Sequence, residues 1–189
     1  VGFLGSRGWF KSFQKTTPMD GSGNPLPWFT YAGIDFLGPR LKKSNTVFEF
    51  GSGQSTRWFS PQVKKVVSVE HDSSWKDYLK SNLHENVEYL HAAIEGNAYS
   101  DSIKNRAEKF DVIVIDGRQR VQCALNSVDA LSPNGVIVWD NSDRPEYQEA
   151  YDYLEKQGFK RLDFWGMGPM SVHGWCTSIY YRTDNCLDI

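Results

Sequence analysis

Residues 47–59 read Val-Phe-Glu-Phe-Gly-Ser-Gly-Gln-Ser-Thr-Arg-Trp-Phe, and the rest of the chain is organised around them. The apolar run Val47–Phe50 predicts a buried strand, and Ser55–Phe59 predicts the first turn of a helix. Gly51 and Gly53 allow a sharp turn and a close approach to a ligand, because glycine has no Cβ. The unpartnered N–H groups at the helix start favour an anionic or hydroxyl-rich ligand. A nucleotide-like ligand is therefore expected at this turn.

The residues around the glycines narrow the identity of this ligand. A dinucleotide fingerprint needs a third glycine where Thr56 stands, and no Gly-Lys-Ser/Thr sequence of a phosphate-binding loop follows. Glu49 would repel a pyrophosphate but attract the ammonium and sulfonium of S-adenosylmethionine. The order Glu-x-Gly-x-Gly resembles the first motif of class I S-adenosylmethionine-dependent methyltransferases. A glycine turn without a ligand is the alternative, and a nicotinamide-dependent enzyme is a less favoured one.

Composition limits the class of protein. The 189 residues suit one domain, 1–189, and a net charge of −2 without a basic run argues against nucleic acid as a partner. No stretch approaches the roughly 20 apolar residues of a membrane span, and no signal peptide is recognised. Three widely spaced cysteines favour a reducing compartment. We expect a soluble, cytoplasmic domain that does not bind membranes; its oligomeric state is open, with a homodimer as one alternative.

The N-terminal region differs in composition from the rest of the chain. Residues 1–27 are rich in Gly, Ser, Pro and Lys, with isolated aromatic residues, and predict an extended arm or a lid. Apolar residues of 28–41 recur at helical spacing, although Gly38-Pro39 must kink or end that helix. The core is predicted to occupy residues 45–182.

Strands and helices are predicted to alternate through the core. The seven predicted strands are 46–50, 66–69, 87–90, 111–115, 136–139, 159–164 and 177–182. Alternation with short loops predicts a parallel sheet with helices on both faces. The last two strands lack a helix between them and should form an antiparallel hairpin. The expected fold is α/β, a Rossmann-like doubly wound seven-stranded sheet, and it resembles the class I methyltransferase sheet.

Among the helices predicted between these strands, one follows the second strand and another follows the fourth. A helix after residue 73 would place Trp75 and Leu83 on its apolar face. Apolar residues in 121–131 predict another helix, which should end at the Ser-Pro-Asn-Gly turn of residues 132–135.

The ligand of such a sheet lies at the carboxyl ends of the strands, where strand order reverses. Glu70 ends the second strand and is the first choice to accept the ribose hydroxyls, with Asp72 as the second. A solvated acid at a strand end is the alternative interpretation of Glu70. The candidate cofactor-binding residues are Glu49, Gly51, Ser52, Gly53, Ser55, Thr56, Glu70, His71, Asp72, Ala92, Ala93 and Asp116.

Oxygen-bearing side chains follow the fourth and fifth strands. Asp116 follows one, and Asp140-Asn141 follows the next. Mg²⁺ prefers such ligands. Here the chain resembles small-molecule O-methyltransferases of the catechol and caffeoyl-CoA type, which hold a metal with these residue types. The resemblance implies a divalent ion at Asp116, Asp140 and Asn141, with Asp116 and Asp140 as catalytic residues. Strand-end caps without a metal are the alternative.

One position departs from that resemblance. The catechol-type pattern has a lysine base three residues after the first metal-binding aspartate, where this chain has Gln119. The neighbouring arginines cannot act as bases near neutral pH but can clamp a carboxylate or phosphate. The candidate substrate-binding residues are Arg118, Arg120, Arg144 and His173. A solvated helix start is the alternative interpretation of Arg118 and Arg120.

These features favour a methyltransferase that uses S-adenosylmethionine to methylate an oxygen of a small hydroxylated or anionic acceptor. A non-catalytic protein that binds S-adenosylmethionine or a related nucleoside is the alternative from another class. The set Asp116, Asp140 and Asn141 favours the enzyme, because a binder would not need it.

Overall fold

The computed structural model of the protein describes residues 2–74, 83–104 and 106–189. Its centre is a sheet in which seven strands pair in the order β3-β2-β1-β4-β5-β7-β6. The strands are β1 Thr46–Phe50, β2 Lys65–Glu70, β3 Val87–His91, β4 Phe110–Ile115, β5 Leu131–Asp140, β6 Lys160–Gly166 and β7 Trp175–Tyr181. The pairs among β1 to β5 are parallel, whereas β7 is antiparallel to both β5 and β6. The predicted mostly parallel sheet with a C-terminal hairpin is confirmed.

Helices precede the sheet and connect its strands. The α-helices of the described residues are α1 Phe3–Ser6, α2 Trp9–Lys15, α3 Tyr31–Leu37, α4 Gln54–Phe59, α5 Ala98–Asp101, α6 Arg120–Ser127 and α7 Gln148–Lys156. Short 3₁₀ segments extend several of them, including Gly38–Arg40 after α3. The predicted break at Gly38-Pro39 is thus confirmed. None of the helices described here has the length and apolar character that a membrane crossing requires.

Each face of the sheet packs against its own apolar cluster. Phe48 and Phe50 of β1 belong to one cluster, and Val47, the residue before Phe48, belongs to the other. Burial on both faces explains why the strand sequences are apolar at consecutive positions. The hydrophobic run that predicts β1 therefore reflects the position of this strand in the interior of the sheet, where both of its faces are covered.

Three local predictions need correction or fall outside the structure. Of the extended arm or lid predicted for residues 1–27, the extended conformation is wrong for 3–6 and 9–15, because α1 and α2 form there. The turn predicted at 132–135 is also wrong, because these residues lie within β5, where the register against β4 shifts. Leu131 pairs with Phe110 and Val136 with Val112, so residues 132–135 form an irregularity within β5, and a Cβ at Gly135 would lie 2.9 Å from the Phe110 carbonyl oxygen. The helix predicted after residue 73 falls mainly in 75–82, outside the described residues.

Strand order reverses between β1 and β4, since the chain first moves outward to β3 and then returns. This is the position where ligands bind in open α/β sheets. The loops after β1, β2, β4 and β5 meet at this edge.

Candidate active site

The loops that follow β1 and β4 are in direct contact. Gly51 has a φ of +98°, and a Cβ there would lie 2.9 Å from the carbonyl oxygen of Asp116. A Cβ on Gly117 would come within 1.9 Å of the Tyr99 hydroxyl. Both positions therefore require glycine, one for its φ and contact, the other for contact alone. This close packing brings Asp116 beside the glycine turn.

Glu49 lies behind the turn in a fully buried position. Its Oε2 accepts hydrogen bonds from the hydroxyls of Thr56 (2.5 Å) and Ser68 (2.8 Å). Its Oε1 is buried and accepts no hydrogen bond from the described residues. Burial raises the pKa of Glu49 to about 7, against the effect of the surrounding hydroxyls. The acid predicted to attract a cationic ligand is thus a buried group that titrates near neutral pH.

Glu70 holds the ends of two loops with its carboxylate. Oε2 accepts a hydrogen bond from Ser52 N at 3.0 Å, and Oε1 accepts from His71 N at 2.8 Å and Asp72 N at 2.9 Å. A carboxylate has about four acceptor positions, so Oε2 retains capacity for a ligand hydroxyl. Asp72, which is exposed, caps its own turn through Ser74.

These groups surround a first cavity of about 560 Å³, here called the cofactor cavity. The sequence-predicted residues that line it are Gly51, Ser52, Gly53, Ser55, Glu70, His71, Asp72 and Asp116. Glu49 and Thr56 stand behind its wall, and Ala92 and Ala93 do not line it. Residues 16–18, after α2, and Met170 also line it. The N-terminal region predicted as an arm or lid therefore contributes to this cavity.

A second cavity of about 470 Å³, here called the acceptor cavity, lies at the end of β5. Three residues line both cavities: Trp28, Asp116 and Arg120. The other residues of the acceptor cavity are Asp140, Asn141, Arg144, Ser171, His173, Gly174 and Trp175. The structure thus brings three predicted substrate residues, Arg120, Arg144 and His173, to one cavity. The fourth, Arg118, lines the cofactor cavity instead.

Asp140 is held by the C-terminal hairpin. β5 and β7 pair Asp140 with Thr177, so the side chains of β7 reach its carboxylate. Oδ1 accepts hydrogen bonds from Thr177 Oγ1 at 2.6 Å and Trp175 Nε1 at 2.8 Å. Only 2% of Asp140 is exposed. Among the described residues none donates a hydrogen bond to Oδ2.

Arg120 joins the ends of β4 and β5. Nη2 donates to Asp116 Oδ1 at 3.1 Å, and Nη1 donates to Asn141 Oδ1 at 3.2 Å and to the Asp140 carbonyl. Its Nε donates to the carbonyl of Gly117 at 3.0 Å. The Arg120 side chain is 10% exposed and that of Asp116 is 21% exposed. Asp116 is therefore the more accessible partner in this ion pair.

The two aspartates have raised pKa values. Burial raises the pKa of Asp140, and the nearby Asp116 carboxylate raises it further, against the hydrogen bonds from Thr177 and Trp175. Burial also raises the pKa of Asp116, against the positive charge of Arg120 and Arg144. Two acids that share a site retain a proton to higher pH than isolated carboxyl groups.

The residues at this edge do not fit the divalent ion that the sequence resemblance implies. Oδ1 of Asp116 and Oδ1 of Asn141 accept hydrogen bonds from the Arg120 guanidinium, and Oδ1 of Asp140 accepts from Trp175 and Thr177. Within 2–74, 83–104 and 106–189, no group of three or more His, Cys, Asp or Glu side chains is placed to hold a metal.

Several residues of the site were missed by sequence reasoning. No sequence motif marks Trp28, Trp175 or Thr177. The roles of Trp175 and Thr177 depend on the pairing of β7 with β5, and the role of Trp28 depends on the position of the segment before α3. The number of tryptophans, seven in the chain, was the one available signal, and it does not say which of them line a cavity.

The sequence matches a family described as a methyltransferase domain over residues 48–142, about half of the chain. The chain belongs to this methyltransferase family. The matched stretch runs from β1 to just beyond β5, and so contains the strand ends that line both cavities. No curated protein sequence matches this methyltransferase.

Solved structures share the fold of this methyltransferase at low sequence identity. A putative O-methyltransferase from Klebsiella pneumoniae is 15% identical, with a TM-score of 0.65 over 96% of this chain and 90% of that chain. Precorrin-6y C5,15-methyltransferase from Geobacter metallireducens is 18% identical, with a TM-score of 0.61 over 79% and 86% of the chains. A putative methyltransferase from Streptococcus mutans, in complex with SAH, is 14% identical, with a TM-score of 0.56 over 79% and 95%. The class I methyltransferase fold expected from the glycine motif is confirmed.

The cofactor cavity of this methyltransferase has features that fit S-adenosylmethionine. Its volume lies in the range of about 300–1,000 Å³ that is usual for small-molecule sites. Gly51 leaves the backbone open to close approach, and Glu70 Oε2 retains acceptor capacity for a ribose hydroxyl. The buried Oε1 of Glu49 has no partner among the described residues, which suits a nearby cationic group. These residues would hold the cofactor.

Proposed function

We propose that the chain transfers a methyl group from S-adenosylmethionine to an oxygen of a small hydroxylated or anionic molecule. The observation that carries this proposal is the common wall of two cavities. Trp28, Asp116 and Arg120 line both of them, so a donor in one and an acceptor in the other meet at the same side chains. Methyl transfer requires this alignment of donor and acceptor.

On the donor side, Glu70 and Asp72 would accept ribose hydroxyls, while Glu49 would sustain a negative charge behind the glycine turn. Bound S-adenosylmethionine supplies a methyl group on a sulfonium centre, which becomes a neutral thioether after transfer. Residues 16–18 and Trp28 border this cavity, so the N-terminal region would help to exclude water from it.

On the acceptor side, Asp140 is the proposed general base. It lines the acceptor cavity, and its Oδ2 accepts no hydrogen bond from the described residues. A raised pKa makes the ionised carboxylate a stronger base near neutral pH. The acceptor hydroxyl would give its proton to Oδ2 as its oxygen bonds to the methyl carbon. Arg144 and His173, both exposed on this cavity, would bind an anionic part of the acceptor.

Calorimetry with the full chain tests the cofactor part of this proposal. We expect S-adenosylhomocysteine and S-adenosylmethionine to bind and NAD not to bind. A panel of small phenols, enols and hydroxy acids, with a labelled methyl donor, then tests transfer. Binding of NAD without S-adenosylhomocysteine would overturn the proposal. Binding without transfer to any member, including under conditions where Asp140 is ionised, would favour the non-catalytic alternative.

A further inference from the structure

The Arg120 side chain lies among the residues of the predicted divalent-ion site, Asp116, Asp140 and Asn141. Its guanidinium contacts every one of these residues: the Oδ1 atoms of Asp116 and Asn141, and the carbonyl oxygen of Asp140. It lies across the ends of β4 and β5, the place where the sequence pattern puts a metal. A second arginine, Arg144, donates to the same Asn141 Oδ1 from the other direction at 3.2 Å.

The chemistry of a guanidinium suits this position. It carries a permanent positive charge and several N–H donors in a fixed plane, so it can satisfy several oxygens at once. The 10% exposure of Arg120 limits its exchange with water, and the partly buried Asp116 benefits from an opposite charge. Asn141, a neutral oxygen donor, completes the contacts without adding a second negative charge to the guanidinium. The three contacts to Asp116, Asp140 and Asn141 start from one side chain at the first position of α6.

The position of Arg120 also follows from the local backbone. Gln119, the residue before α6, has a φ of +47°, and its amide Nε2 donates to the carbonyl of Ile94 at 3.0 Å. Gln119 is thus turned away towards the loop after β3, and the next residue, Arg120, enters the space between β4 and β5. The position of the catechol-type lysine is therefore occupied by Gln119, whose side chain donates to a backbone carbonyl. The positive charge between β4 and β5 comes instead from the next residue, Arg120.

We propose that Arg120 is a built-in cation that replaces the divalent metal of related O-methyltransferases, so that this site works without a metal. Arg120 acts as a positioning residue: it fixes Asp116 at the common wall of the two cavities and holds the ends of β4 and β5 together. The role in methyl transfer rests on the proposed function, whereas the replacement of a metal ion can be tested by binding alone.

The test compares the wild type with Arg120→Ala, Arg120→Lys and the distant control Arg182→Ala, whose guanidinium contacts the Gln157 carbonyl and the Phe159 ring. Mn²⁺ binding is followed by electron paramagnetic resonance, and S-adenosylhomocysteine binding by calorimetry in EDTA. We expect the wild type to bind the nucleoside in EDTA and to bind no Mn²⁺ at this site. Arg120→Ala should weaken nucleoside binding roughly tenfold or more, since it removes hydrogen bonds to a charged group.

Rescue distinguishes a cation position from a merely structural side chain. Guanidinium ion at millimolar concentration should restore nucleoside binding in Arg120→Ala, and Mn²⁺ should now bind and restore it as well. Arg120→Lys, which keeps the positive charge, should show a smaller loss of nucleoside affinity than Arg120→Ala. Arg182→Ala should bind like the wild type and gain no Mn²⁺. Mn²⁺ binding to the wild type with loss of nucleoside affinity in EDTA would overturn the inference, and so would an Arg120→Ala variant that neither ion rescues. A wild type that binds no S-adenosylhomocysteine, with or without Mg²⁺, would instead overturn the proposed function.

Discussion

Asp140 accepts a 2.8 Å hydrogen bond from Nε1 of Trp175, a residue 35 positions later in the chain. Thr177, from the same strand, donates to the same oxygen at 2.6 Å. The C-terminal hairpin thus sets the orientation of an acid that ends a parallel strand. Hydrogen bonds from β7 fix Oδ1 of Asp140, whereas Oδ2, which accepts no hydrogen bond from the described residues, is available to a molecule in the acceptor cavity.

Trp175→Phe should therefore change the titration of Asp140. The indole hydrogen bond favours the ionised carboxylate, so its loss raises the pKa of Asp140 further. If Asp140 is the general base, the acid limb of the pH–rate profile for methyl transfer moves to higher pH. Trp165→Phe, on β6 with 63% of the side chain exposed, is the matched control and should leave the profile unchanged. An unshifted profile in a correctly folded Trp175→Phe protein would assign the base to another group.

Glu49→Gln should alter the dependence of stability on pH. The folded-state pKa of Glu49 is raised to about 7, so the folded chain binds its proton more tightly than the unfolded chain does. The contribution of Glu49 to stability therefore falls as pH rises from the unfolded-state pKa through the folded-state value. Over pH 5 to 8 the ligand-free wild type should lose up to about 3 kcal/mol relative to Glu49→Gln. Urea unfolding at several pH values measures this difference.

The control for this experiment is Glu108→Gln. Hydrogen bonds and charges from Lys65 and Arg106 oppose the burial of Glu108 and lower its pKa. A lowered pKa gives stability that is present above the unfolded-state value and is lost only at more acidic pH. The difference between Glu108→Gln and wild type should therefore be constant from pH 5 to 8. A constant difference for Glu49→Gln as well would show that Glu49 is already ionised in this range.

Gly117→Ala should destabilise the fold mainly through a contact with the Tyr99 hydroxyl, the shortest of the contacts that its Cβ would make. A Cβ there would lie 1.9 Å from this oxygen, and such overpacking costs about 1–3 kcal/mol or more. Tyr99→Phe alone should be neutral or stabilising, because the buried hydroxyl has no hydrogen-bond partner among the described residues. The double variant should recover part of the loss. Unfolding free energies of the four proteins give the coupling, and strictly additive effects would contradict the contact.

The fold could be predicted from the sequence because its determinants are local. β1 shows its buried apolar run, and the glycine turn and the acid at the end of β2 follow at fixed positions, so the class of fold and one side of the site could be inferred. The turn predicted at 132–135 failed for a different reason. Ser, Pro, Asn and Gly indicate a turn by local preference, but Leu131 and Val136, on either side of the segment, both pair with β4, so the segment is an irregularity within one strand.

The acceptor side could be predicted only in part. Asp116, Asp140 and Asn141 do meet at one edge, as their strand-end positions indicated. The sequence could not show that Arg120 enters among them, since this depends on the left-handed backbone at Gln119. Nor could it show the donors to Asp140, which arrive through antiparallel pairing with a strand more than thirty residues away.

Arg144→Ala should weaken acceptor binding more than catalysis. Arg144 is exposed on the acceptor cavity, and its guanidinium is oriented by Asn141 and the Tyr147 hydroxyl. For an acceptor with a carboxylate, we expect KM to rise roughly tenfold, by the loss of a charge-assisted hydrogen bond, with kcat little changed. A neutral acceptor of similar shape should show a smaller effect. Equal KM values for the variant and wild type on the anionic acceptor would place the anion site elsewhere.

Glu70→Ala should reduce the affinity for S-adenosylhomocysteine in two separable ways. The carboxylate binds the backbone amides of Ser52, His71 and Asp72, so its removal frees both loops that border the cofactor cavity. It also removes the acceptor capacity of Oε2, and loss of a hydrogen bond to a charged group costs roughly 1.5–3 kcal/mol of binding free energy. Unfolding of the ligand-free variant measures the first effect, and calorimetry measures both together. Asp72→Ala is the comparison, because this acid lines the same cavity and, among the residues that the structure describes, accepts hydrogen bonds from Ser74 alone. If Asp72→Ala weakens binding more than Glu70→Ala does, the ribose hydroxyls are bound by Asp72, and the role of Glu70 is limited to holding the loops through their backbone amides.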